Sequence, residues 1–215
     1  IDPIVVAQKA IPGLYSEITT TEIDSYLAET AAALTVEHPD YSYLAARIKA
    51  NALHKETPGF EIASKKLYED GLLRENYYQK VIENVEEIDS IIDYDRDYHF
   101  DYFALTTLTR AYLLKCQNKT IERPQDLWMR VTLTVACEEF NFEKVKKTYE
   151  ALSNGLYTHA TPTLFHAATP RPQMSSCFLM GTHDSIEGIY DTIKDTALIS
   201  KWAGGIGVHI SNIRS

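Results

Sequence analysis

The sequence lacks a long apolar run, an excess of basic residues and a dense set of cysteines. No stretch approaches the roughly 18 consecutive apolar residues that a membrane-spanning helix needs. Its 21 Lys and Arg residues are outnumbered by 30 Asp and Glu residues, which leaves a net charge of −9. That balance is unfavourable for contacts with nucleic-acid phosphates. We therefore expect no membrane and no nucleic acid among the partners of this chain, and a cytoplasmic location.

The three cysteines are Cys116, Cys137 and Cys177, and no CxxC pair occurs. They are too few for the disulfide framework of a small secreted domain, and their spacing is not that of a zinc site. We therefore expect a reducing compartment and no bound metal. The sequence has no initiating Met, and both ends fall inside patterned sequence. We therefore expect a fragment of a longer chain.

What the sequence does contain is ordinary globular composition. Of its 215 residues, 45% are hydrophobic and 24% are charged, which suffices for one or two cores. The acidity is uneven, since residues 156–215 hold four basic and four acidic residues and the whole deficit lies before them. A polyanionic ligand is therefore better accommodated by the C-terminal third.

Helical patterns fill the chain up to Gly155. Thr19 and Glu22 have the spacing of a capping box, and apolar residues then recur at helical intervals. Asp40 can cap the next helix. The charged and aromatic segment 94–98 is, on composition alone, typical of a solvated turn.

The residues after Gly155 predict strands around one helix. Segments 158–163, 174–180 and 208–213 have strand-like composition, and Asp184 or Ser185 can cap a helix between the last two. The final part of the chain is therefore expected to be an α/β segment. The apolar residues that share one face of this helix, and that we expect to be buried, are Ile186, Ile189, Tyr190, Ile193 and Ala197.

Few residues point to chemistry by themselves. The residue type of Cys177 favours a buried, inert side chain. As a redox thiol it would need a second thiol or a base, because few such groups ionise at neutral pH. The glycines at 204–207 follow a helix and precede a strand, the opposite order to a dinucleotide fingerprint, so a helix stop and a close backbone approach both remain open. His159 and His166 lack partners at metal-ligand spacing.

Four ordered blocks of sequence resemble the large (alpha) subunit of class I ribonucleotide reductase. They read THATPTLF at 158–165, RPQMSSCFL at 171–179, DSIEGIYD at 184–191 and AGGIGV at 203–208. Shorter matches are HKET at 54–57, YDRD at 94–97 and ERPQ at 122–125. The resemblance therefore extends over most of the chain.

This resemblance implies an α/β fold with a large helical N-terminal part. Residues 1–59 correspond to a partial ATP-cone whose first strands are missing. Residues 60–155 correspond to the helical domain of the reductase, and residues 156–215 to the start of a ten-stranded α/β barrel with substrate and specificity-effector elements.

The resemblance also implies an activity and its residues. The family reduces ribonucleoside diphosphates to deoxyribonucleoside diphosphates by a radical mechanism, for DNA precursor synthesis, and Cys177 matches one of two cysteines that become a disulfide. The residues that match substrate-binding positions are Thr161, Ser176, Cys177 and Gly205. The residues that match the specificity-effector site are Asp184, Ser185, Ile186, Lys201 and Arg214. The residues that match the activity site, which senses ATP against dATP, are Thr20, Asp24 and Lys55.

The implied partners come from the same resemblance. No cofactor is expected to bind this chain directly, while ATP, dATP and other deoxynucleoside triphosphates act as allosteric effectors. A metal-containing small (beta) subunit supplies the radical, and thioredoxin or glutaredoxin supplies electrons. An alpha homodimer or higher oligomer is expected. The radical Cys and the second reducing Cys do not occur in these residues, so we expect the chain alone to be inactive.

The chain departs from the family at Trp202, which stands where a small residue is usual, at His166, which replaces a common Asn, and in a shortened loop at 181–183. Two alternatives remain open from sequence. One is an adenosylcobalamin-dependent ribonucleotide reductase, and the other is a regulatory nucleotide-binding fragment without activity of its own.

Overall fold

The structure, a computed structural model, describes residues 1–136 and 138–215, so Cys137 lies outside the described residues. The helices are α1 (Pro3–Ala10), α2 (Thr20–Ala33), α3 (Asp40–Glu56), α4 (Phe60–Glu69), α5 (Glu75–Glu83), α6 (Val85–Ile91), α7 (Tyr102–Thr107), α8 (Pro124–Val135), α9 (Phe142–Ser153), α10 (Thr161–His166) and α11 (Ile186–Lys201). The strands are β1 (Lys115–Cys116), β2 (Lys119–Thr120), β3 (Cys177–Gly181) and β4 (Gly205–His209). Short 3-10 helices cover Ile11–Gly13, Leu34–Val36 and Tyr94–His99, and a π-helical turn covers Leu108–Tyr112. Within the described ranges, no helix combines the length and the apolar character that crossing a bilayer requires.

The start of α2 confirms the predicted capping box. The Thr19 hydroxyl accepts from the backbone N–H of Glu22, and the Glu22 carboxylate accepts from the backbone N–H of Thr19 at 2.9 Å. Two N–H groups that the helix itself leaves unpaired are thereby satisfied. Helix α2 then packs along α3, where Ala31 and Ala45 are fully buried and allow a close approach of the two backbones.

The predicted cap at Asp40 is wrong. Asp40 is already the first residue of α3, and Pro39 occupies the cap position with helical backbone angles. The pyrrolidine ring fixes φ near the helical value, so the helix can begin at a proline without a side-chain cap.

Helix α8 is the centre of the main helical core. Its residues from Pro124 to Leu133 are all buried, including four large apolar side chains that are fully enclosed. These four are Leu127, Met129, Val131 and Leu133. Burying one such side chain contributes about 1.5–3 kcal/mol, so α8 anchors the helices around it. A helix enclosed on every side also has to satisfy its polar residues internally.

One such polar residue, Arg130, joins α8 to α10. Its Nε lies 2.6 Å from a carboxylate oxygen of Glu122, and both side chains are almost completely buried. Its two terminal nitrogens donate to the carbonyl oxygens of Ala167 at 2.8 Å and Leu164 at 3.2 Å. Glu122 also accepts from the backbone N–H of Leu114 at 2.8 Å. The guanidinium therefore holds the C-terminal end of α10 from inside the core.

The interpretation of segment 94–98 as a solvated turn is wrong. The segment forms a 3-10 helix in which Asp97 is fully buried. One carboxylate oxygen of Asp97 lies 2.7 Å from His54 Nε2, and the other accepts from the Gln125 amide at 3.0 Å. Burial raises the pKa of Asp97, while the hydrogen bonds from His54 and Gln125 oppose that rise. Composition could not show that these polar residues have buried partners far along the chain.

A second buried carboxyl, Asp126, lies beside this cluster. It accepts from the Tyr94 hydroxyl at 2.6 Å and from the backbone N–H of Arg123 at 2.8 Å. Burial raises the pKa of Asp126 to about 8. The Arg123 side chain in turn donates to the Thr57 carbonyl at 2.7 Å, just after the end of α3. These contacts connect the N-terminal helices to the main core.

The C-terminal segment has the predicted strand, helix, strand order, with the two strands parallel. The last strand, predicted at 208–213, instead begins at Gly205 and ends at His209. Ser185 rather than Asp184 caps α11, since its hydroxyl accepts from the backbone N–H of Gly188 at 3.0 Å. The strand predicted at 158–163 is wrong, because helix α10 begins inside it. Pro162 lies in the first turn of α10, where its missing N–H costs nothing.

The apolar face of α11 is exposed, contrary to prediction. Ile186 is 69% exposed, Tyr190 66% and Ile193 57%. An open apolar cavity of about 480 Å³ lies where α11 and β4 meet, with Ile189 and Val208 in its wall. The apolar periodicity was sufficient to place the helix, but the described chain covers this face only in part, at Ile189.

Candidate functional site

Cys177 is the first residue of β3, and it is exposed. The expectation of a buried, inert side chain is therefore wrong for the described chain. Cys177 pairs directly with Gly205 across the parallel strands, and the hydroxyl oxygen of Ser176 lies 3.6 Å from its sulfur. Three of the four residues predicted to contact substrate thus lie together at the ends of β3 and β4.

Gly204, just before β4, and Gly205, its first residue, allow a close approach of the chain to itself. A Cβ at Gly204 would lie 2.5 Å from the side chain of Ile199, and one at Gly205 would lie 3.1 Å from the Ser176 carbonyl. Gly205 also donates its N–H to that carbonyl at 2.7 Å. Helix α11 ends at Lys201, just before these glycines, as the helix-stop interpretation expects. A close approach of this backbone to a ligand stays a prediction.

The second described thiol, Cys116, has a different environment. It is half-buried, and burial, with the nearby Asp70 carboxylate, raises its pKa to about 11. A thiol with so high a pKa carries almost no thiolate at neutral pH and is a weak nucleophile. Of the two described thiols, the accessible one is Cys177.

The fourth predicted substrate residue, Thr161, is the first residue of α10 and is half-buried. Its hydroxyl oxygen lies 3.1 Å from the hydroxyl oxygen of Tyr112, which ends the π-helical turn. Two residues later, the Thr163 hydroxyl donates to the Met174 carbonyl at 3.2 Å. Helix α10 is therefore tied to the segment that leads into β3. Sequence analysis missed Tyr112, which is 49 residues from Thr161 and gave no signal beyond its helical spacing.

The residues predicted for the specificity effector lie at both ends of α11. Asp184 lies 3.5 Å from the guanidinium of Arg214, and Ser185 and Ile186 begin the helix beside them. Lys201 is the last residue of α11, about 22 Å away along a helix that rises 1.5 Å per residue. Four of the five residues therefore cluster, and Lys201 of the same chain is separated from them.

The three residues predicted for the activity site lie together. The ammonium of Lys55 is 2.7 Å from a carboxylate oxygen of Asp24, and the Lys55 side chain is exposed. Thr20 lies one turn before Asp24 on the same face of α2. The group combines a cation, a carboxylate and a hydroxyl at an accessible surface.

The two side chains that the resemblance singles out as departures, His166 and Trp202, contact each other. The rings of His166 and Trp202 lie 6.1 Å apart in an edge-on arrangement. The side chains of Arg171 and Lys201 both lie over the Trp202 ring, at 5.6 Å and 5.5 Å. Trp202 therefore packs between the end of α11 and the segment that joins α10 to β3.

His159 and His166 belong to no metal-binding group in the described residues. Over 1–136 and 138–215, no group of three or more His, Cys, Asp and Glu side chains is placed to hold a metal ion. His159 is half-buried, and burial lowers its pKa. His166 makes a 2.8 Å contact to the Gln173 carbonyl instead.

Comparison with known protein families gives two matches, a helical domain followed by a barrel domain, in the same order as the helices and strands of the structure. Residues 98–172 match the ribonucleotide reductase all-alpha domain, and residues 175–215 match the ribonucleotide reductase barrel domain. The chain belongs to the large-subunit family of ribonucleotide reductases. The fold class predicted from the resemblance, a helical part followed by the start of the barrel, is confirmed.

Curated relatives agree with this assignment. The ribonucleoside-diphosphate reductase large subunit of Arabidopsis thaliana is 47% identical over 225 residues, which cover 100% of this chain and 27% of that protein. The large chain 2 of Saccharomyces cerevisiae is 47% identical over 229 residues, covering 100% of this chain and 26% of that protein. The Variola virus large subunit is 46% identical over 226 residues, which cover 100% of this chain and 29% of that protein. The chain thus spans about a quarter of the length of these relatives.

Proposed function

We propose that this chain is part of a ribonucleoside-diphosphate reductase large subunit, which reduces ribonucleoside diphosphates to deoxyribonucleoside diphosphates. The observation that carries the proposal is the exposed Cys177 at the start of β3, opposite Gly205, within the segment that matches the barrel domain. Because Gly205 has no side chain, a sugar ring can come close to the Cys177 thiol beside it. We also propose the division into a partial ATP-cone, a helical domain and the start of the barrel at residues 59 and 155.

The reduction we propose is a two-electron step. Two thiols lose two electrons and two protons as they form a disulfide, the C2′–O bond of the ribose breaks, a C2′–H bond forms, and the oxygen leaves as water. Cys177 supplies one of these thiols. The second thiol and the radical-bearing Cys would come from residues outside this chain, and the radical would come from the metal-containing small subunit. Thioredoxin or glutaredoxin would reduce the disulfide.

The hydroxyls around Cys177 suit substrate binding. Ser176 adjoins the sulfur, and Thr161 lies on α10, which is tied to the segment leading into β3. A hydroxyl can both donate to and accept from the oxygens of a nucleotide, so each can orient the substrate without adding charge. Because residues 156–215 have no net charge, a diphosphate is not repelled by this part of the chain.

The specificity effector, a deoxynucleoside triphosphate or ATP, is proposed to bind at the N-terminal end of α11. Asp184 would accept from the ribose hydroxyl, with Arg214 close to the phosphates and Ser185 and Ile186 beside the base. Lys201 lies at the far end of the same helix, so a Lys201 contact to this nucleotide would come from a second copy. The exposed apolar face of α11 supports the proposal of an alpha homodimer or higher oligomer.

The activity site is proposed at Thr20, Asp24 and Lys55. The exposed Lys55 ammonium offers a positive charge to a triphosphate, and Asp24 and Thr20 offer acceptors to the sugar. ATP or dATP binding here would replace part of the Lys55–Asp24 ion pair.

The two alternatives from sequence are less well supported. The matched relatives carry the names large subunit and large chain, which favours a small-subunit-dependent enzyme over an adenosylcobalamin-dependent one. A purely regulatory nucleotide-binding module would not need an accessible thiol at the start of β3.

The test is turnover of the full-length protein with and without a small subunit. We expect deoxyribonucleotide product only when both subunits are present, and none from the 215-residue chain, because the radical-bearing Cys and the second reducing Cys are expected outside these residues. Full activity without a small subunit but with adenosylcobalamin would support the first alternative. Turnover by the 215-residue chain itself would contradict the proposal.

A further inference from the structure

The hydroxyl of Thr161 has a specific partner on a distant part of the chain. Tyr112 is the last residue of the π-helical turn Leu108–Tyr112, and its hydroxyl oxygen lies 3.1 Å from that of Thr161. The Tyr112 ring packs against the Phe165 ring of the same helix α10, with centroids 4.8 Å apart. Tyr112 therefore contacts α10 through both its ring and its hydroxyl.

The rest of α10 is held without Tyr112. Arg130 donates to the carbonyls of Leu164 and Ala167 at its C-terminal end, and Thr163 is bonded to the Met174 carbonyl. The backbone position of Thr161 is therefore fixed from the core, and no side chain caps the start of α10, where Ala160 is the cap residue. What this anchoring leaves open is the direction of the Thr161 hydroxyl proton.

The direction of that proton depends on which of the two hydroxyls donates to the other. If the phenolic O–H donates to Thr161 Oγ1, the proton of Thr161 is free for an acceptor in front of α10, and the first hydrogen bond strengthens the second by polarising it. A branched β-carbon also restricts the Thr161 side chain to few rotamers, so one partner is enough to orient it. π-helical turns occur often at functional sites, and this one places Tyr112 against the substrate-side helix.

We infer that Tyr112 is a positioning residue, which orients the Thr161 hydroxyl toward an oxygen of the substrate nucleotide. The inference rests on the proposed function in one respect, namely that Thr161 contacts the substrate. Tyr112 itself need not touch the substrate. Its role is to hold one hydroxyl in the binding-competent orientation before the nucleotide arrives, so its loss should weaken substrate binding and leave the chemical step unchanged.

The experiment is a double-mutant cycle in the full-length enzyme, with its small subunit, using Tyr112→Phe and Thr161→Val. Tyr112→Phe keeps the ring contact with Phe165 and removes only the hydroxyl. We expect it to raise KM for ribonucleoside diphosphates about two- to tenfold, the effect of one neutral hydrogen bond, with kcat unchanged. In the Thr161→Val background the same change should have no further effect on KM, whereas in the Thr161→Ser background it should raise KM as in the wild type.

A structural control is Tyr149→Phe, which removes a hydroxyl that is hydrogen-bonded to Gln125 at 2.8 Å inside the helical core. It should lower the melting temperature and leave KM unchanged. The inference is overturned if Tyr112→Phe behaves like this control, or if its effect on KM adds fully to that of Thr161→Val. If Thr161→Val leaves KM unchanged in an active enzyme, the inference fails while the reductase function stands. Absence of any reductase activity in the wild-type enzyme would instead refute the proposed function.

Discussion

The helical part of the chain and its C-terminal strand, helix, strand segment differ in which side chains they bury. In the helical part, even charged side chains such as Arg130 and Asp97 are fully enclosed, and each has partners within 3.2 Å. In the C-terminal segment, large apolar side chains such as Ile186 and Tyr190 are exposed, and α11 contains no fully buried residue in the part of the chain that the structure describes.

We therefore expect the residues that determine stability to lie mainly in the helical part, and the residues that determine function to lie mainly in the C-terminal segment. The helical part satisfies its own buried groups, so a substitution there should cost folding free energy. The C-terminal segment carries Cys177, Gly205 and Asp184 at exposed positions. A substitution there should cost binding or chemistry with little change in stability.

The largest stability effect is expected for Arg130→Met in the helical part. It would leave the Glu122 carboxylate buried without its partner and two carbonyl oxygens of α10 unpaired. Breaking a buried ion pair by removing one member costs about 3–5 kcal/mol. Urea unfolding of the 215-residue chain, followed by far-UV circular dichroism, measures the change.

The matched control for this substitution is Arg214→Met in the C-terminal segment. The Arg214 side chain is 82% exposed and its contact with Asp184 is 3.5 Å, so its removal should cost less than about 1 kcal/mol. Equal losses of stability for the two variants would contradict the contrast between the two regions.

The next effect, on binding, is expected for Asp184→Ala in the full-length enzyme. Loss of a charge-assisted hydrogen bond to an effector sugar should cost about 1.5–3 kcal/mol, which is about ten- to a hundredfold in affinity. Calorimetric titration with a deoxynucleoside triphosphate measures this affinity. Because Ser185 caps α11, the stability of the variant should stay close to that of the wild type. Unchanged effector affinity would show that Asp184 serves only its ion pair with Arg214.

A pH-dependent effect on stability is expected from Asp126. Its pKa is about 8 in the folded chain, against about 3.9 in an unfolded one. Between these values the folded state holds a proton that the unfolded state has lost, so stability contributed by this group falls as the pH rises from about 4 to about 8. One such group changes the unfolding free energy by at most about 1.4 kcal/mol per pH unit.

Asp126→Asn should remove this contribution, since its side chain is neutral at every pH. Between pH 5 and pH 8, the wild type should lose unfolding free energy because of Asp126. The variant should lose less over the same range. The exposed substitution Asp195→Asn controls for the loss of one acidic residue. Identical pH profiles for Asp126→Asn and the wild type would mean that this carboxyl is ionised in the folded chain.

Local sequence patterns predicted the structure correctly where the contacts that determine it are between residues close in sequence. The capping box of Thr19 and Glu22 and the position of α11 follow from spacings of a few residues. Prediction failed where a distant partner decides the outcome. Asp97 is buried because His54 and Gln125 reach it, and neither contact leaves a trace in the composition of segment 94–98.

For the candidate site, the sequence likewise identified residues but not the distances between them. The resemblance brought together Ser176, Cys177 and Gly205, and the register of β3 and β4 places them side by side. It could not show that α11 separates Lys201 from Asp184, because helix length becomes a distance only in three dimensions. The contact of Tyr112 with Thr161 depends on how α10 packs, and no local pattern encodes it.

The most direct test of the account is single-turnover reduction by prereduced full-length enzyme carrying Cys177→Ser, measured together with substrate affinity. Serine is close to cysteine in volume, so the enzyme should tolerate it without loss of fold. Its hydroxyl cannot form a disulfide. We predict wild-type-like substrate affinity and no deoxyribonucleotide product, with any external dithiol. A wild-type yield of product in the single turnover would show that Cys177 is not one of the two reducing thiols and would contradict the account.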